Sequence, residues 1–299
     1  MIPYRLNPLG VNEFIPLTLM ALADSSKVTL NATGSPTVSG LQFRKRGEPW
    51  ASYTIGTEIP LDANQYVQFK NTADNLSTSG SDYVQFALTG EFNAMGSIMS
   101  MLNTGGACKA YCFYGLFSGQ TALKRPPEMP AMTLASDCYN SMYYSSGITV
   151  PPVLPALQME TRCYQSMIRG TAITAAPVLP STSLAPACYG YMLQNTHISG
   201  IELPATTLAS YCYTGMLAGS WIESLTLPGT ALADYCYQYL AQYCSRLNSV
   251  EVAFTSWRNA ADTTGWLSNV AASGTFTKPA ALPVDSSSPI PSGWNIVNK

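Results

Sequence analysis

A two-residue step, cysteine followed by an aromatic ring, recurs along this chain from residue 112 to residue 237. Cys138-Tyr139, Cys163-Tyr164, Cys188-Tyr189, Cys212-Tyr213 and Cys236-Tyr237 carry it, and Cys112-Phe113 is its first copy. The spacing is 24 to 26 residues. A fixed period in this range marks coils stacked on one another, because one such unit cannot bury its apolar face alone. The cysteines therefore occupy equivalent places, one per coil. That placement argues against a metal cluster, which needs several ligands at one point, and against a nucleophile.

Alignment on the cysteine extends the pattern. Four residues before it stand Leu134, Met159, Leu184, Leu208 and Leu232, with Cys108 in that place in the first copy. Four residues after it stand Leu116, Met142, Met167, Met192, Met216 and Leu240. Positions i, i+4 and i+8 share one face of a helix, so the spacing predicts a short helix in every coil. Further on, Ile201-Glu202-Leu203-Pro204 and Leu225-Thr226-Leu227-Pro228 read apolar, polar, apolar. That alternation predicts a short strand ended by proline, which cannot donate to a ladder.

The Leu-Ala-x-x-Cys-Tyr-x-x-Met segment and the Leu203-Pro204-Ala205-Thr206-Thr207-Leu208 turn resemble the BspA-like leucine-rich repeats, found in surface proteins of gut anaerobes and in their phages. The stretches Gly265–Phe276 and Ile290–Trp294 resemble that family's C-terminal cap. The likeness is strong over about 105–299 and implies a recognition scaffold. The expected architecture is multi-domain α+β: an antiparallel, immunoglobulin-like β-sandwich, then a leucine-rich-repeat solenoid of about six coils. Five segments follow: an N-terminal anchor at 1–12, with Tyr4, Leu6, Leu9 and Val11 to dock; a sandwich at 13–90; a linker at 91–106; repeats at 107–255; and a cap at 256–299. Trp50 and the paired Tyr-Val-Gln-Phe runs at 66–69 and 83–86 are expected in the sandwich core. Met95, Ile98, Met99 and Leu102 have helical spacing in the linker. Trp257, Trp266, Phe276 and Trp294 are expected to close the far end.

Charge narrows the function classes. Charged residues make up 11% of the chain, well under the usual share, and the formal net charge is −2. Residues 126–260 hold seven acids and four bases, a local −3, so the repeats are not expected to bind nucleic acid. Arg44-Lys45-Arg46 is the only basic run and reads as a solvated strand end. The start, Met1-Ile2-Pro3-Tyr4-Arg5-Leu6-Asn7-Pro8, has no long apolar stretch of a secretory signal, and no run is long enough for a membrane span.

Chemistry is sparse. His197 reads as a loop residue with no nucleophile elbow to serve, and no cofactor or metal is expected. The thiols are expected reduced and packed as small hydrophobes. The candidate partner-binding residues are those predicted to point outward from the strands: Glu128, Val153, Val178, Glu202, Thr226 and Glu251. The reading is a non-enzymatic recognition or adhesion scaffold, foremost a phage virion protein such as a fibre, decoration or host-binding subunit. The alternative is a secreted or surface-anchored bacterial adhesin. Partners would be a protein or a cell-surface glycan, a virion component at residues 1–12, or a second copy of the chain.

Overall fold

The computed structural model of the chain describes residues 4–6, 12–74 and 76–299. The expected anchor at 1–12 lies largely outside them. Its backbone pairs β1 (Tyr4–Leu6) antiparallel with β2 (Asn12–Phe14).

The N-terminal region is β-rich, as its alternation requires. β3 (Leu17–Ala21), β4 (Ser26–Thr33), β5 (Leu41–Lys45), β6 (Ala51–Ser52), β7 (Ile59–Leu61), β8 (Tyr66–Asn71), β9 (Tyr83–Thr89) and β10 (Phe92–Met95) follow one another. One sheet runs β10-β3-β8-β5-β6 and gains β11 (Leu123–Arg125) outside β10; the other runs β7-β4-β9. Val67 and Phe69 point inward from β8, and Val84 and Phe86 from β9. The rings of Phe69 and Phe86 meet edge to face at 5.2 Å across the sheets. Tyr53 fills the core beside them; its hydroxyl accepts from Leu30 N and donates to Thr57 O. Trp50, expected inside, is instead half-buried at the edge, with Arg44 and Lys70 over its ring.

This unit merges into the coils. β10 pairs parallel with β11, which belongs to the first coil. Phe86 N donates to Leu116 O, Phe92 N to Ala122 O and Ile98 N to Glu128 O. The Phe86 ring stacks on Phe117 at 5.0 Å. Within 91–106 the helical spacing yields β10 and a 3₁₀ turn at Ile98–Met101, capped by the Ser97 side chain; Met95 is exposed.

The predicted helices do not form. Among the described residues there is no α-helix, and the chain is nearly all β and turn, so the α+β leucine-rich-repeat architecture is overturned. Each expected helix is a ribbon of tight turns. In the second coil, N–H groups of Cys138, Asn140, Met142, Tyr144 and Ser146 bond three residues back. The alternate N–H groups, of Asp137, Tyr139, Ser141, Tyr143 and Ser145, bond carbonyls of the next coil: Thr161, Cys163, Gln165, Met167 and Arg169. An α-helix would send every N–H four residues back within its own segment. Every fourth residue has positive φ, as at Asp137, Ser141 and Ser145. Glycine takes this place at Gly170 and Gly219, where the missing Cβ removes the steric penalty.

The ribbon has a four-residue period, so the sequence pattern still fits. Leu134, Cys138 and Met142 are buried, and so are Tyr139 and Tyr143 one step along. The Cys-Tyr rings form a continuous column. Phe113, Tyr139, Tyr164, Tyr189, Tyr213 and Tyr237 stack at 5.5 to 6.2 Å, nearly parallel, and Trp266 continues the column at 6.2 Å.

The strand edge forms a ladder only in part. β12 (Ser224–Leu227), β13 (Ser249–Val252), β14 (Thr275–Lys278) and β15 (Asn295–Asn298) make a parallel sheet in that order. The segment expected as a cap therefore extends the sheet by two strands, while Trp266, Phe276 and Trp294 are buried over the last coils as expected. Residues 150–156, 175–180 and 201–204 are in line with these strands but are not laddered. Prolines 151, 152, 155, 177 and 180 remove donors there. Pro152 and Pro177 are buried where β12 and β13 carry Leu225 and Val250.

Candidate recognition surfaces

Three surfaces present side chains to solvent. The first is the predicted strand-edge row. Its inward neighbours Leu154, Leu179, Leu203 and Leu227 are buried, which turns the intervening residues outward. Glu128, Val153, Val178, Glu202 and Thr226 are exposed. Thr226 and Glu251 are directly paired across β12 and β13. Glu251 is only half-exposed, because its carboxylate is paired with Lys299. Val153 and Val178 are 79% and 80% exposed, at equivalent places in adjacent coils, with Val150 partly exposed beside them. Burying a valine is worth about 1.5–3 kcal/mol, so two adjacent bare valines forgo a substantial stabilisation.

The second surface was missed in the sequence. His197, Trp221 and Arg246 occupy one position in three successive coils, where earlier coils carry Gly147 and Ala172. The imidazole lies on the indole with centroids 4.3 Å apart, and the Arg246 guanidinium lies 4.6 Å from the indole centre. His197 is exposed, as expected for a loop residue, and is also one rung of this ladder. The signal was available in the alignment, since Trp and Arg stand immediately before the buried Ile222 and Leu247 as His197 stands before Ile198.

The third surface is the outer side of the turn ribbon. The ribbon residues with positive φ sit here, many of them tyrosine. Tyr211 stacks on Tyr235 at 4.6 Å, Arg169 reaches both Tyr144 and Tyr191, and Tyr243 is largely exposed. The Arg162–Asp137 ion pair anchors this side. Buried Asp137 receives Nε and Nη2 of Arg162, each at 2.9 Å, and Nδ2 of Asn140. Tyrosine supplies contact area at little entropic cost, and isolated charges on such faces set orientation.

The thiols of the later coils are inert. Burial pushes Cys163 and Cys212 up to about 12 and Cys236 up to about 11. A thiol held protonated is a poor nucleophile. Among the described residues, no three His, Cys, Asp or Glu are grouped to hold a metal, and no helix is long and apolar enough to cross a membrane. The arrangement supplies contact surfaces. Comparison with known protein families, with curated proteins and with solved structures finds no match for this chain.

Proposed function

We propose that this chain is a non-enzymatic recognition scaffold that binds a protein partner through the strand-edge row. The observation that carries the reading is the pair Val153 and Val178, nearly bare in adjacent coils and flanked along the row by Glu128 and Glu202. Apolar residues contiguous on a surface mark interaction sites, and the flanking carboxylates suit a partner with basic residues around an apolar segment. Inter-coil hydrogen bonds and the ring column give this row a stiff backing, which lowers the entropic cost of association. The resemblance of the repeat motif to BspA-like sequences supports placing the scaffold on a virion or cell surface, with adhesion as the role.

The test is binding of the labelled whole chain to a panel of bacterial cells and to a glycan array, alongside the Val153→Glu/Val178→Glu variant. The expected result is cell binding that the double variant loses at unchanged thermal midpoint. Equal binding by variant and wild type would remove the row from the function. Binding to free glycans alone would shift the partner class away from protein.

A further inference from the structure

The first coil breaks the pattern of the stripe at one place, and there it gathers thiols. Later coils carry leucine or methionine four residues before the column cysteine; the first carries Cys108. The register between first and second coils is fixed by Cys108 N donating to Thr133 O at 3.0 Å and Phe113 N donating to Cys138 O at 2.9 Å. Cys112 and Cys138 are therefore neighbours along the column, with Cys112 Sγ 3.9 Å from Cys138 O. Cys108 is buried in the same stripe, four residues before Cys112. In the third coil the corresponding partner of Cys163 is the thioether of Met159, at 3.9 Å, which cannot form a disulfide.

We propose that Cys108 is a peroxide-oxidisable thiol that forms a disulfide with Cys112 or Cys138. Three buried sulfhydryls in two adjacent coils supply both the attacking group and its resolving partner. Hydrogen bonds from neighbouring thiols lower the pKa of Cys108, whereas burial raises those of Cys112 and Cys138, so Cys108 is the one to attack. It is also the least buried of the three, 8% exposed against 1% for Cys112 and none for Cys138. The Cys108 thiolate attacks one oxygen of hydrogen peroxide. The O–O bond breaks, hydroxide leaves and takes up a proton as water, and a sulfenic acid remains. The neighbouring thiol then attacks that sulfur, its proton leaves with the hydroxyl as a second water, and the S–S bond forms. Two thiols and one peroxide give one disulfide and two waters.

The experiment treats the whole chain with a small excess of hydrogen peroxide, then alkylates it under denaturing conditions for intact-mass and peptide analysis. The expected protein has two fewer alkylatable thiols than its eight and a crosslinked peptide containing Cys108. Cys108→Leu, which restores the residue type of the later coils, should keep all its remaining thiols. Cys163→Ala should still form the bond. Retention of all eight thiols in the wild type, a crosslink lacking Cys108, or loss of two thiols in Cys108→Leu would each overturn the proposal.

Discussion

Removing one oxygen from the middle of the ring column should stabilise the protein. Tyr189 is 1% exposed and lies between Tyr164 at 6.0 Å and Tyr213 at 5.9 Å. Its hydroxyl is buried without a hydrogen-bond partner. Leaving such a group unpaired costs about 1–3 kcal/mol of desolvation. Tyr189→Phe removes that cost and keeps both stacking contacts. The oxygen leaves a void of roughly 10–15 Å³, worth about 0.3 kcal/mol at the cost per volume of core cavities. The net expectation is a gain of about 1–2 kcal/mol. Tyr189→Ala is the contrast. It loses the ring, about 3–5 kcal/mol, and two stacked pairs at about 0.5–1.5 kcal/mol each. Urea unfolding followed by tyrosine fluorescence measures both, read as midpoints at constant slope. Tyr237 has the same unpaired hydroxyl two coils away, so Tyr237→Phe should add nearly independently. Destabilisation of Tyr189→Phe by 1 kcal/mol or more (about the worth of one hydrogen bond) would show that the hydroxyl is paired, and the reasoning would fail.

Two further predictions concern ionisation and charge. The column thiols Cys163, Cys212 and Cys236, raised to about 12, 12 and 11 from 9.0, keep their protons when folded and release them near pH 9 when unfolded. Their stabilisation is therefore complete below about pH 9 and lost as pH rises toward the folded values, about 2–3 kcal/mol for each thiol by pH 11. Urea midpoints should be level from pH 7 to 8 and fall steeply by pH 11; a level profile would refute the burial argument. Arg162→Ala should cost about 3–5 kcal/mol by leaving the Asp137 carboxylate buried and unpaired. Adding Asp137→Asn should recover part of that loss, since a neutral amide is cheaper to bury; no recovery in thermal unfolding would locate the damage elsewhere.

Much of the framework was legible in the chain. The Cys-Tyr period announced stacked coils, and the four-residue spacing of Leu134, Cys138 and Met142 picked out the buried stripe. What that spacing could not decide was the element. An α-helix and a ribbon of turns with one positive φ in four both bring i, i+4 and i+8 to one face. They differ in where alternate N–H groups go, and that is settled by a carbonyl some 24 residues away. Glycines at 115, 170, 215 and 219 hinted at the ribbon, since glycine disfavours a helix interior. The strand row was readable from alternation, yet buried prolines kept its middle out of the ladder. The His197-Trp221-Arg246 stack became visible only when three coils were laid side by side. Sequence alone determined most of the inward stripe of each coil, because burial there follows the local period. Tertiary structure alone decided the backbone that holds them, because each coil draws half of its ribbon hydrogen bonds from the next.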